Sequence, residues 1–306
     1  MDPDRTAALM TPSKLADAKP AVAGSAAQWT DRMAADAGQH QLRRLTELRE
    51  ELEPVVRSED GSAVEAVLQQ LDRRLPRLDF DLLKPLGWWA RATGKERAAG
   101  AKFAAQFQKI DQSLGGLAGG LEGLLKQEEE RVPVRDRALF EVEVEYRGIE
   151  EIIDKGEHWI QDTRGQLEAR KAANSDPRGQ QQIRDDAARC AILEERLKLL
   201  RAVASAAQHL QQQARAAASR RTALLELIEG LLASEAKVWR SRVAPLAAVA
   251  GDSSSPALSL EQPMETHLAL QQRVKHSLAD WSQSGAQGEL AAAGLDALAQ
   301  QLRAAG

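Results

Sequence analysis

The residue types that could do chemistry are few in this chain, and their spacing suits little of it. Five histidines, His40, His158, His209, His267 and His276, are spread over 306 residues. No two stand four apart, the helical spacing by which two imidazoles share a zinc ion, and none lies near the lone cysteine in sequence. Each reads as a solvated or partly packed side chain. Cys190 falls on an apolar helical seam, so a buried, inert thiol is expected; a redox role would need an exposed thiolate. Gly115, Gly116, Gly119, Gly120 and Gly123 match neither the dinucleotide-binding nor the phosphate-loop pattern. No serine stands in a nucleophile-elbow context. Two acidic stretches, Glu128-Glu129-Glu130 and Glu141, Glu143, Glu145, have the oxygen ligands a divalent cation takes, but such runs on helices are usually solvated faces. The expectation is a chain with no catalytic, cofactor-binding or metal-binding residues, no cofactor, and no enzymatic activity.

The most site-like segment is Lys84-Pro85-Leu86-Gly87-Trp88-Trp89-Ala90-Arg91, followed by Lys95 and Arg97. Trp88, Trp89, Arg91 and Lys95 set indoles beside cations, which suits a protein partner or a peripheral membrane interface. The competing reading has Trp88 and Trp89 plugging the end of a helical bundle. The five clustered glycines also need a reason, since each costs about 1 kcal/mol against alanine inside a helix. Gly115, Gly119 and Gly123 would form a smooth strip beside a leucine seam. Close approach of a third helix is the first reading of that strip, and a hinge or partner groove the second.

Composition narrows the elements that must position these residues. Aromatics make up 4% of the chain and charged residues 28%, and alanine supplies much of the 43% that is hydrophobic. Narrow helical seams need few large side chains, so this mixture suits a slender helical body better than a thick globular core. A net charge of -4 offers no electrostatic footprint for nucleic acid. One cysteine excludes an intramolecular disulfide framework and fits a reducing compartment. The N-terminus has no apolar core of the signal-peptide kind, and no run reaches the ~18–20 apolar residues of a membrane span. The chain reads as cytoplasmic.

Periodicity then places the elements. Phe103, Phe107, Ile110, Leu114, Leu117, Leu121 and Leu124 form one seam, and Leu139, Val142, Tyr146, Ile149, Ile153, Gly156, Ile160, Thr163 and Leu167 a second. Steps of three and four average ~3.5 residues, so each seam keeps facing a partner helix. Pro133 lies between the two seams. The run Leu124, Glu128, Val132, Arg135, Leu139 continues the pattern with one added four-residue step, which favours a kink over a reversal. The reversal is expected at residues 174–179, where Asp176 could cap the next helix and Pro177 suits its first position. The returning seam runs Ile183, Cys190, Leu193, Leu197, Leu200, Ala204, Ala207, Leu210, Ala214, then Leu224, Ile228 and Leu231. The predicted fold is all-α: an elongated helical bundle built on a long antiparallel coiled-coil-like hairpin over residues 96–250.

The remaining segments fill in around that hairpin. Residues 1–27 read as a mobile tail, and residues 28–95 as N-terminal helices with a Trp-containing connector. The first of those helices is expected from about Trp29 to Val56, with Leu42, Leu45, Leu48 and Leu52 inward. Ser62 could cap the second, which carries Val64, Val67, Leu68 and Leu71. Residues 251–263 read as a linker, and residues 264–306 as two short helices packing back on the bundle.

At the turn and beyond it, the chain resembles the toxic anion resistance family, the TelA/KlaA proteins linked to tellurite resistance. Asp176-Pro177-Arg178 is similar to that family's Asp-Pro-Glu start of its long helix. Ile183-Arg184-Asp185-Asp186 and Leu199-Leu200 stand where the family has comparable runs. Leu225-Glu226-Leu227-Ile228-Glu229-Gly230 is similar to a recurring family hexapeptide, and Val238-Trp239-Arg240 to a later apolar-aromatic-basic step. Lys102-Phe103 through Ile110-Asp111-Gln112, and Ile152-Ile153 leading to Gly156, resemble upstream elements. Leu231-Leu232-Ala233-Ser234-Glu235 replaces the family's threonine run, as in a divergent, shortened member. The resemblance implies a cytoplasmic, non-enzymatic accessory or scaffold protein of bacterial stress response that acts through protein partners and transfers no catalytic residue. The alternative is a structural coiled-coil assembly or peripheral membrane-associated protein unrelated to anion resistance.

Overall fold

The structure, a computed structural model, describes residues 36–57, 61–84, 95–173, 176–250 and 259–306. Six α-helices occur among them: α1 (Gln39–Val56), α2 (Ser62–Arg74), α3 (Lys95–Ala173), α4 (Pro177–Gly230), α5 (Lys237–Val249) and α6 (Glu261–Ala305). Two 3-10 turns, Leu75–Arg77 and Phe80–Leu83, follow α2, and a π-helical stretch, Leu231–Ala236, joins α4 to α5 without a break. No strand occurs among the described residues, as the all-α expectation requires.

Two compact units share the long helices. One gathers residues up to Arg49, Glu141–His209 and Asp296–Gly306; the other gathers Glu50–Phe140 and Leu210–Leu295. In the first unit α3 and α4 run antiparallel. Arg164 pairs with Glu194, and seven residues earlier on α3 Glu157 pairs with Arg201, seven residues later on α4. That matched heptad step keeps the predicted seams in contact: Val142, Ile149, Ile153 and Ile160 are buried, as are Leu193, Leu197 and Leu200. Gly156 belongs to this seam because Leu197 lies where a side chain would go, 2.8 Å from an added Cβ. Arg196 closes the unit by donating to the Ala37 carbonyl, at 3.2 Å from Nε and 3.1 Å from Nη2, and to the Ala305 carbonyl at the end of α6.

In the second unit the same two helices pack with α2 and the first part of α6. Phe103, Ile110, Leu114 and Leu117 from α3, Leu224 and Ile228 from α4, Val64, Leu68 and Leu71 from α2, and Leu270 and Val274 from α6 form one buried cluster. Gln211 on α4 donates to the Leu139 carbonyl of α3 at 3.2 Å.

Three expectations change in detail. The helix expected from about Trp29 to Val56 is interrupted at Gly38, whose φ of +74° is a left-handed conformation, so α1 begins at Gln39; residues 28–35 of that expectation lie outside the described residues. Ser62 is the first residue of α2, and Gly61 occupies the cap position without a side-chain cap. The reason is tertiary, since a methyl group at Gly61 would overlap the Trp281 indole. The C-terminal pair of short helices is one helix, α6. Gly285 and Gly288 cost helix stability but nothing crowds them, and buried Leu270 and Val274 on one side and Ala291 and Leu295 on the other hold the intervening turns. As the seam predicts, the chain does not reverse at Pro133, which lies inside α3, because packing on both sides outweighs one missing N–H donor.

The π-helical stretch follows from the spacing of apolar residues. Ile228 to Leu231 is a step of three, but the next buried residue is Ala236, five on, followed by Trp239, Val243 and Leu246. One extra residue rotates an ordinary helix by about 100°, which would turn Trp239 away from the core. A turn of i to i+5 hydrogen bonding absorbs that residue and returns the apolar face to the seam.

The predicted glycine strip is not where the close approach occurs. Nothing lies within 4 Å of a Cβ built at Gly115, Gly119 or Gly123, whereas one at Gly120 would come to 2.9 Å of Val64 Cγ2 on α2. Gly119→Ala should therefore stabilise the protein by up to about 1 kcal/mol. Gly120→Ala has the same backbone advantage but presses on a buried, stiff valine, and should be at least ~1 kcal/mol less stable than Gly119→Ala. Urea unfolding of the two variants checks this, and equal stabilisation would contradict the packing.

Candidate functional site

The sequence-predicted site residues are not brought together. Trp88, Trp89 and Arg91 lie outside the described residues, and Lys95 is the exposed first residue of α3. Cys190 is buried beside Leu167 and Ile183, with the half-buried Trp159 against them. Burial pushes its thiol pKa up, with the nearby Arg164 guanidinium acting in the opposite direction. Among the described residues no group of three or more His, Cys, Asp and Glu side chains is placed to hold a metal ion.

The acidic run at residues 128–130 divides. Glu129 and Glu130 are exposed, as expected of a solvated face, but Glu128 turns inward with only 13% of its side chain exposed. It stands at a seam position of α3, and two turns later on the same face Arg135 is 11% exposed. Arg221 of α4 brings its Nε to 2.5 Å of Glu128 Oε1, and Arg135 Nη1 lies 3.5 Å from Oε2. Leucine gives way to charge at one level of the α3 seam, and α4 answers with the leucine-free interval Ala214 to Leu224. A carboxylate between two guanidiniums is well suited to partial burial, because each ion offsets part of the other's desolvation.

Small residues leave room beside this ionic layer. A cavity of about 760 Å³ is bounded by Arg135, Glu128 and Leu124 on α3, by Ala217, Ala218 and Arg221 on α4, and by Trp281, Gly285, Gly288 and Ala292 on α6. The ends of α1 and α2 add Val55, Val56, Arg57, Gly61 and Glu65. This is the volume range of sites for small organic ligands, and apolar walls with a few convergent polar groups are the usual lining of such sites.

A second polar arrangement is buried nearby in the chain's aromatic cluster. Trp239 is fully buried and His267 is 4% exposed, against the expectation of a solvated or partly packed histidine. Trp239 Nε1 donates to His267 Nδ1 at 3.1 Å, and His267 Nε2 lies 2.9 Å from the Leu75 carbonyl. An indole nitrogen can only donate, so Nδ1 is unprotonated and the ring's proton resides on Nε2, which donates to Leu75. The Gln271 Nε2 amide nitrogen lies 2.9 Å from the same ring nitrogen; two donors cannot bond, so the amide is assigned with its oxygen toward the ring, where it shares that proton. Leu75 opens a 3-10 turn with Pro76, and its carbonyl also accepts from the Leu78 N–H at 3.1 Å. Phe80 sits edge-on to both His267 and Phe103, each at 5.4 Å, while Phe107 stacks on Trp239 at 5.1 Å. Nothing in this cluster is open to a substrate. It docks α6 onto α5 and the end of α2.

Sequence reasoning missed both arrangements, though signals for each existed. Glu128 and Arg135 stand in register with leucines, which marks them as inward. Trp239 is the apolar-aromatic-basic step already singled out, but nothing local to His267 announces its partner. No protein-family model matches the chain, and comparison with curated proteins and with solved structures finds no match.

Burial lowers the pKa of His267 below its ordinary 6.5, while the Leu75 hydrogen bond acts in the opposite direction. The unfolded chain therefore binds a proton at this residue before the folded chain does. The contribution of neutral His267 is complete above about pH 6.5 and falls as pH drops from there through the folded pKa. Urea unfolding of the protein and of His267→Gln at pH 8 and pH 5 should show the wild-type advantage shrinking at the lower pH. An advantage that stays constant or grows on acidification would contradict the assigned tautomer.

Proposed function

We propose that this chain is a non-enzymatic helical binding protein, an accessory or scaffold of the bacterial toxic anion (tellurite) resistance type that works in stress response by holding protein partners. The observation that supports the binding half is the set of large apolar side chains left exposed on otherwise well-packed helices. Phe140, Ile192 and Leu268 are 61%, 60% and 56% exposed. Side chains of this size contribute most to affinity when a partner desolvates them. The stress half rests on the order of the motifs at the turn and along α4. No described helix is long and apolar enough to cross a membrane.

One observation favours the alternative of a structural coiled-coil assembly. Ile192 and Leu199, seven residues apart on α4, are both exposed and share one helix face, the arrangement that pairs with a second helix. Light scattering of the purified protein separates the readings: concentration-dependent assembly abolished by Ile192→Glu would favour self-association.

For the leading reading, deletion of the gene should lower tolerance to tellurite or to envelope stress, with wild-type complementation restoring it. Ile192→Glu and Leu268→Glu should each reduce capture of native partners by at least about tenfold while thermal stability stays within ~0.5 kcal/mol, as exposed positions allow. Unchanged tolerance in the deletion strain would remove the stress assignment, and unchanged capture by both variants would remove these surfaces.

A further inference from the structure

We propose that the outward face of α3 in the second unit is a docking surface for a second copy of this chain, laid parallel and staggered by 27 residues. The face is separate from that of Ile192 and Leu199, and the proposal does not rest on theirs. Its starting observation is a pair of charged strips. Lys95, Lys102 and Lys109 recur every seven residues along α3, and Glu122, Glu129 and Asp136 recur at the same interval further on. All six are exposed. Asp136 pairs with its neighbour Arg135, and the other five make no ion pair with a described residue. Charges that stabilise a single helix stand three or four apart. Like charges seven apart instead present one sign along a line, as the flanking positions of a coiled coil do toward a partner helix.

The seam fixes where the two strips lie around the helix. Phe107, Leu114, Leu121 and Glu128 also recur every seven residues, on the inward side. In that frame the lysines stand two residues after the seam position and the acids one residue after it. The strips are therefore about 100° apart, at the two edges of the face opposite the seam. Along the middle of that face Ala98, Ala105, Gln112 and Gly119 are all exposed, and nothing lies within 4 Å of a Cβ built at Gly115 or Gly119.

Charge complementarity names the occupant. Parallel helices bring opposite edges together, whereas antiparallel helices bring like edges together, so lysine edge meets acidic edge only in the parallel case. A stagger of 27 residues, about 40 Å along the axis, sets Lys95, Lys102 and Lys109 against Glu122, Glu129 and Asp136 of the next copy. A stagger one heptad shorter or longer matches one pair fewer. Each copy keeps one strip for a further neighbour, so the contact is heterologous and the assembly open-ended. Exposed ion pairs are individually weak and screened by salt, so association belongs to low ionic strength.

Sedimentation velocity of the full chain at about 20 mM and about 500 mM salt tests this. Wild type should associate with rising concentration at the lower salt and lose that association at the higher. Lys95→Glu with Lys102→Glu, and separately Glu122→Lys with Glu129→Lys, should each weaken association about tenfold or more. Lys95→Gln with Lys102→Gln, a milder change, should weaken it about threefold. An equimolar mixture of the two charge-reversed variants should recover association to within about threefold of wild type, because each strip of one then opposes a strip of the other. Lys237→Glu with Arg242→Glu alters net charge equally at exposed positions of α5 and should change association less than about twofold. A monomer at every concentration in low salt, equal weakening by the α5 variant, or no recovery on mixing would overturn the proposal.

Discussion

The pairing of α3 with α4 constrains everything else in this structure. A helix of 79 residues and one of 54 have to keep one narrow face each toward the other, and a shift of a single residue turns that face by about 100°. Ion pairs seven residues apart on both helices show the register being kept in one unit, and the Gln211 bond to the Leu139 carbonyl fastens the helices in the other. Seam burial, more than helix propensity, maintains the helices through residues that ordinarily end them. Pro133 and the glycines of α3 are tolerated for that reason.

Where apolar spacing departs from the seam, the backbone or the chemistry adjusts. Between Leu231 and Ala236 the backbone adjusts, and a π-helical turn returns Trp239 to the core. At Glu128 and Arg135 the chemistry adjusts, with Arg221 supplied from the facing helix. The two adjustments have opposite consequences. The first places a fully buried indole against His267 and closes that region to solvent. The second forgoes large apolar side chains, and the space they would have filled remains as the cavity. Alanine and glycine on α4 and α6 enlarge it further, and Gly61 allows the Trp281 indole to close one part of its wall.

The aromatic cluster and the ionic layer also stabilise in different ways. Trp239, Phe107, Phe80 and Phe103 contribute apolar burial, and the one polar ring among them has both nitrogens bonded. That closed network tolerates a single protonation state. The ionic layer instead divides its charges, with Arg221 on Glu128 and Arg135 between Glu128 and Asp136.

By itself, the spacing of apolar residues determined that the chain is all-α and which leucines face inward, and the cap residues Asp176 and Pro177 marked where α3 gives way to α4. The helical period is a local property, so a face can be read from one strand of text. Cys190 was legible in the same way, as a seam residue with a buried thiol. Tertiary structure alone decided what a residue meets across the interface. Which histidine is buried depends on a tryptophan 28 residues away and a carbonyl 192 residues away. Gly120, and not its neighbour Gly119, packs against α2 because that helix approaches one side of α3. The seam marks Glu128 as inward and Glu129 as outward, but only the position of Arg221 makes Glu128 a bridging ion. Periodicity specifies a direction from the helix axis, whereas chemistry depends on distances between elements that the chain brings together only when it folds.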